Sequence, residues 1–153
     1  MVYAKPLSRI PWEDQFRTPS LEELRSHYNR QLGQLVTSAR EKLLSFDEVR
    51  EDLEWMGLPW RWTMVYRCPD DPTQAWAYLI PHREKPLIAT PLSQDMIDAL
   101  PMSRLRKFIR EGLDSGRMVA GTRWVAWDVT NKTHLDLVIE LLKRKHKFIM
   151  ARN

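Results

Sequence analysis

An α+β domain, with helices packed on one face of an antiparallel four-stranded sheet, is what three features of the chain predict. Apolar residues recur at steps of three and four from Leu21 to Leu43 and again from Leu135 to Leu142, as on helices. They alternate from Trp60 to Tyr66 and from Val125 to Val129, as on half-buried strands. Proline- and glycine-bearing turns separate these runs. The predicted element order is ααβββααβα within one domain of residues 1–153, made of an extended arm (1–17), a core (18–147) and a tail (148–153).

The arm has prolines and isolated apolar groups (Tyr3, Leu7, Ile10, Trp12, Phe16) without a helical period, so it reads as a segment lying on another surface. At Thr18-Pro19-Ser20 a helix begins, because Pro19 suits a first turn and Ser20 with Glu23 has capping-box spacing. Its stripe of Leu21, Leu24, Tyr28, Leu32, Leu35, Ala39 and Leu43 predicts roughly six turns. Ser45 and Glu48 repeat the capping-box spacing and predict a second helix, with Phe46, Val49, Leu53 and Met56 apolar and Gly57 and Pro59 ending it.

The period then changes to two. Trp60, Trp62, Met64 and Tyr66 alternate with Arg61, Thr63, Val65 and Arg67 in a first strand, and Cys68 to Pro72 turn the chain. A second strand alternates Trp76, Tyr78 and Ile80 with Ala75, Ala77 and Leu79; a third is short, from Leu87 to Thr90. Ser93 caps a short helix to Leu100, and another from Pro101 carries Leu105, Phe108, Ile109 and Leu113 as far as Gly116. Arg123 to Val129 is the fourth strand, and Thr130 caps a last helix with Leu135, Val138, Ile139 and Leu142 on one face.

Composition narrows the classes of function. The 153 residues carry a net charge of +4, unevenly placed: residues 59–153 hold 16 basic and 10 acidic side chains, residues 1–58 hold 8 and 10. Cys68 is the only cysteine, so neither an internal disulfide nor a thiolate cluster is available, and a reducing, cytoplasmic location is expected. No apolar run has the length of a membrane span. No membrane partner is expected.

The usual chemical motifs are missing. The four histidines have no paired ligand spacing, and no serine sits in a nucleophile-elbow sequence. Gly116 to Gly121 has the glycine spacing of a phosphate loop, but Thr122 and Arg123 replace its Lys and Ser/Thr, and a strand follows where a helix must open. Neither an enzyme nor a cofactor or bound metal is therefore expected. Asp47, Glu48, Glu51, Asp52 and Glu54 crowd the predicted second helix, where carboxylates complement the N-terminal dipole or collect hard cations. Lys143-Arg144-Lys145-His146-Lys147 near the end of the last helix complements its C-terminal dipole; the alternative is that it grips phosphates, with the basic C-terminal half binding nucleic acid, though no such complex is expected.

From Asp52 to Lys145 the chain resembles a group of small bacterial domains related to the YdhG-like proteins. The residues that carry the resemblance are Glu54-Trp55-Met56-Gly57-Leu58-Pro59-Trp60, Tyr78-Leu79-Ile80-Pro81, Leu105 to Gly112, and Trp124-Val125 followed by Leu135 to Lys143. The resemblance implies an α+β fold with a curved antiparallel sheet. It also implies an alternative function, the frataxin-like iron chaperoning described for some YdhG-like proteins, for which the acidic second helix is the counterpart here.

Strand parity supplies the leading functional expectation, a non-catalytic binding module. Trp60, Trp62, Tyr66, Trp76, Tyr78 and Trp127 are expected to face the helices as core. The opposite face then presents Arg61, Thr63, Val65 and Arg67, with Ala75, Ala77 and Leu79, and with Trp124, Ala126 and Asp128. Small alanines between a tryptophan and two arginines leave room for an anionic or aromatic small molecule, a peptide, the arm, or the same face of a second subunit in a homodimer. Arg61, Thr63, Arg67, Trp124 and Asp128 are the expected ligand-binding residues.

Overall fold

A six-stranded antiparallel sheet is the centre of the computed structural model, which describes residues 11–26, 28–82 and 84–152. Residues 1–10, most of the expected arm, lie outside the described residues, as does His27. The fold is α+β with an antiparallel sheet, as expected, but the sheet has six strands and not four, and the element order differs from ααβββααβα.

The capping box at Ser20 forms as the sequence predicts: Ser20 Oγ accepts the Glu23 N–H at 3.1 Å and opens α1 (Leu21–Ser26). The long helix is nevertheless broken. Asn29 caps a new helix, α2 (Arg30–Leu44), by accepting the Leu32 N–H at 2.8 Å, an alternative that a short polar side chain offers the backbone in place of continued helix. Ser45 does not open a second helix; it closes α2, its hydroxyl donating to Lys42 O at 2.6 Å. Glu48 then takes φ 63°, a conformation outside any right-handed helix, and the segment expected to be helical runs as strand β1 (Arg50–Trp55). Pairing decides this. All six residues of β1 register against β2 (Trp62–Arg67), with Leu53 opposite Met64 and Trp55 opposite Trp62.

A meander continues through β3 (Ala77–Ile80) and β4 (Leu87–Ser93). Ser93 caps the five-residue α3 (Gln94–Asp98) through the Met96 N–H, as expected. After α4 (Lys107–Asp114), Gly116 to Gly121 encloses an unforeseen strand, β5 (Arg117–Val119), which turns into β6 (Thr122–Asp128). Ala120 and Gly121 both have positive φ, 50° and 81°, the geometry of a two-residue hairpin turn. The sheet order is β1-β2-β3-β4-β6-β5. Asn131 rather than Thr130 caps α5 (Lys132–Ala151), which runs through the expected tail and buries Ile149.

Helices α2, α4 and α5 cover one face of the sheet, with Leu43, Ile109, Leu113, Leu135 and Leu142 meeting Met64, Tyr66, Leu79, Ile88 and Trp127. The approach of α4 is set by Gly112, where an added Cβ would lie 2.0 Å from the Trp127 indole nitrogen. That nitrogen donates to Phe108 O at 3.2 Å. Among the described residues no helix is long and apolar enough to cross a membrane.

Four of the six aromatics expected in the core face the helix side: Trp62, Tyr66, Trp76 and Trp127. Trp60 and Tyr78 do not; they join Val65, Ile80 and Ala89 on the opposite face. Two local breaks in alternation explain the difference. Arg61, at φ 61°, precedes β2 and separates the parity of Trp60 from that of Trp62. At the other break, the Trp76 N–H donates to Tyr66 O at 2.8 Å while Tyr66 also registers with Ala77, so one residue of β2 faces two. This bulge shifts the parity of the rest of β3. Ala77 and Leu79 consequently turn into the main core, and the larger Tyr78 and Ile80 take their expected places outside.

Candidate functional site

The sheet face opposite the helices is built from cross-strand rows. Val65, Tyr78, Ala89 and Ala126 stand opposite one another from β2 to β6, so their neighbours at two-residue steps, Thr63, Arg67, Trp124 and Asp128, share that face. The apolar cluster here contains buried Val65, Ala75, Tyr78, Ile80 and Ala89, with half-buried Trp60, Leu87 and Trp124 packed against it. None of these side chains comes from a helix.

Three rings make its centre. Tyr78 lies between Trp60 and Trp124, with ring centroids 5.2 and 5.8 Å away, and the two indoles meet edge to face at 6.3 Å. Such offset and edge contacts fix the rings against one another beyond the area they bury. Burial pushes the Tyr78 phenol above its ordinary pKa, against the opposing pull of Arg67.

Beyond Trp60 the face runs into a groove of about 530 Å³ whose walls include Trp12, Pro59, Ile80, Pro81 and Leu87. Its polar margin is Glu13, Arg61, His82 and Glu84. The His82 Nδ1 accepts the backbone N–H groups of Glu84 and Lys85 at 3.1 and 3.0 Å, which places the proton of a neutral ring on Nε2.

The five expected ligand-binding residues are distributed differently. Arg61 pairs with Glu13 at 3.0 Å, and Arg67 pairs with Glu54 and with Asp52, the latter at 3.4 Å. Both guanidinium groups are thereby directed to carboxylates of the chain itself. Thr63 is fully buried, and its hydroxyl donates to Arg61 O at 3.3 Å. Trp124 is half-buried in the aromatic cluster, and Asp128 is exposed at the margin opposite Leu87. The two parity breaks hide Trp60, Tyr78 and Ile80 from a reading of the sequence; the proline and glycine before Trp60 are the visible signal of the first.

Of the five carboxylates expected on an acidic helix, Asp47 and Glu48 precede β1, and Glu51, Asp52 and Glu54 are divided between its two faces. Glu51 faces the helix side, where it accepts from Arg40 and from the Tyr66 hydroxyl at 2.6 Å; Asp52 and Glu54 face the open side, on Arg67. Among the described residues no group of three or more His, Cys, Asp and Glu side chains is placed to hold a metal ion.

The basic run at the end of α5 is also divided. Lys143, Arg144 and Lys147 are exposed, whereas Lys145 is buried. Its position continues the apolar stripe of Val138, Leu141 and Leu142 at steps of three and four, the signal by which it differs from its neighbours. The Lys145 ammonium donates into a cage of Thr73 Oγ1, Thr90 Oγ1 and the carbonyls of Ala75, Trp76 and Pro91, at 2.6 to 3.2 Å. Burial pulls its pKa down to about 8, against the nearby Asp71 carboxylate, which raises it. Cys68, near the same cage, is raised by burial and by Asp71, so it is no ready thiolate.

No family model matches the chain, and no curated protein matches it. The geometry alone therefore defines the class: an α+β domain with one sheet face covered by helices and the other centred on an aromatic cluster.

Proposed function

We propose that the protein is a non-catalytic binding module whose open sheet face takes an extended peptide containing proline and basic residues. The observation that carries this reading is the Trp60–Tyr78–Trp124 cluster, a set of interlocked rings on a sheet face to which no helix contributes. Its accessible part is Trp60, Leu87 and Trp124, partly exposed over buried Val65, Tyr78 and Ala89, and apolar surface gathered in this way marks an interaction site. Aromatic rings beside prolines at the groove suit an extended proline-bearing segment, which is already ordered before it binds and loses little entropy in docking. Charge selects among such segments. Arg61 and Arg67 are matched by carboxylates, whereas Asp128 and Glu84, which both adjoin Leu87, have no ion-pair partner among the described residues and offer carboxylates to a cation at that end of the face.

The resemblance to the YdhG-like group enters this proposal only through the antiparallel sheet that it implies. Iron chaperoning has less support, because three of the five carboxylates, Glu51, Asp52 and Glu54, lie on a strand and are engaged by Arg40 and Arg67. The test is binding of a synthetic peptide in which prolines alternate with arginines, measured by calorimetry. Trp60→Ala and Trp124→Ala should each weaken it by roughly tenfold or more, as for aromatic hot spots. Unchanged affinity in both variants, with the fold intact, would reject the open face as the site.

A further inference from the structure

A second site, independent of the open sheet face, lies between α3 and the C-terminal half of α5. Helix α3 ends at Asp98, and its Asp95 pairs with Arg152 at 3.0 Å just past the end of α5, which brings α3 beside the C-terminal turns of α5. The result is an open cleft of about 250 Å³. Its apolar lining includes buried Leu92, Met96 and Leu141, together with Leu100 and half-buried Phe148.

The charge around this lining is of one sign. Arg144 and Lys147 border the cleft, both exposed and neither in an ion pair among the described residues, and no carboxylate lines it. The nearby carboxylate of Asp95 is engaged by Arg152 at 3.0 Å, whose guanidinium also lies 4.8 Å from the centre of the Phe148 ring. An apolar recess bordered by unmatched cations is complementary to a molecule with an apolar body and an anionic end. At this volume, just under the usual range of drug-sized sites, the body is small.

We propose that the α3–α5 cleft binds a small amphipathic anion, a carboxylate bearing a short alkyl chain or a single ring, with Arg144 and Lys147 holding the carboxylate and Met96, Leu100 and Phe148 surrounding the apolar part. The cations supply charge-assisted hydrogen bonds at the rim, and the recess removes apolar surface from water.

The probe is octanoate, with 1-octanol as its uncharged counterpart, followed by methyl NMR of the full chain. Octanoate is expected to bind roughly tenfold more tightly than octanol, moving the methyl signals of Met96, Ala99 and Ala151. The double substitution Arg144→Glu with Lys147→Glu should weaken octanoate by about tenfold or more and leave octanol unchanged. Ala99→Phe, at an exposed position on the cleft wall, should fill the recess and abolish binding of both without lowering the melting temperature. Trp60→Ala should leave octanoate binding as it was, which separates this site from the open face. Equal affinity for the acid and the alcohol, no binding of octanoate at millimolar concentration, or full binding by Ala99→Phe would each overturn the proposal.

Discussion

The Lys145 ammonium lies 3.6 Å from Asp71 Oδ2, and both side chains are closed to solvent. The pair joins α5 to the turn between β2 and β3, and the two threonines and three carbonyls around the ammonium extend that tie to β4. Removing one member leaves the other as an uncompensated buried charge, which typically costs about 3–5 kcal/mol. Lys145→Met and Asp71→Asn should each destabilise the fold on that scale. The double variant should lose much less than the sum of the two. A double-mutant cycle by urea denaturation measures this directly, and additive losses would show that the pair is not coupled.

Titration of Lys145 gives a second expectation. Its folded pKa of about 8 lies below the ordinary 10.5, so between those values the unfolded chain holds a proton that the folded chain has released. Stability attributable to this group therefore rises with pH across the window. Relative to Lys145→Met, the wild type should gain roughly 2 kcal/mol between pH 7.5 and 9.5. A difference between the two proteins that stays flat, or falls with pH, would contradict the assigned cause.

Gly112→Ala tests the seating of α4. The new methyl would stand 2.0 Å from the Trp127 ring nitrogen, so either the helix retreats or the indole gives up its hydrogen bond to Phe108 O. Overpacking of this kind costs about 1–3 kcal/mol, and loss of a buried hydrogen bond adds to it. Thermal unfolding should show a clear drop. A variant as stable as the parent would mean that α4 is not held by this contact.

Tyr66→Phe removes the hydroxyl that donates to Glu51 at 2.6 Å while leaving the ring in the core. Glu51 keeps its two hydrogen bonds from Arg40, so the loss should be limited to about 1–2 kcal/mol, in the range of a hydrogen bond to a charged group. Glu51→Gln should cost more, because Arg40 then loses its opposite charge as well. Equal losses in the two variants would place the stabilisation in the Tyr66 bond alone.

The parts of this fold legible from sequence are those in which local signals agree with one another. The Ser20–Glu23 box, the α2 stripe through Leu32, Leu35, Ala39 and Leu43, the alternation of Trp62, Met64 and Tyr66, and that of Val125 and Trp127 all form as read. The segment from Asp47 to Trp55 misled because its apolar spacing fits either period, and strand pairing with β2 outweighed a capping motif. Alternation within β2 and β6 is regular, so Thr63, Arg67, Trp124 and Asp128 stand on the side of the sheet that their parity predicts. Its chemistry was not legible. The bulge at Tyr66 depends on a hydrogen bond between separate strands, and the neutralisation of Arg67 depends on carboxylates brought alongside by a strand the sequence suggests is helical.

The open face is tested most directly by the indole N–H signals of the tryptophans in a ¹⁵N NMR titration with the proline–arginine peptide. Trp60 and Trp124 stand in the proposed site, whereas Trp76 and Trp127 are buried on the helix side and serve as internal controls. Trp60 and Trp124 should shift together and saturate at one peptide concentration, while Trp76 and Trp127 remain in place. Shifts confined to Trp76 and Trp127, or saturable binding that leaves both Trp60 and Trp124 unmoved, would contradict it.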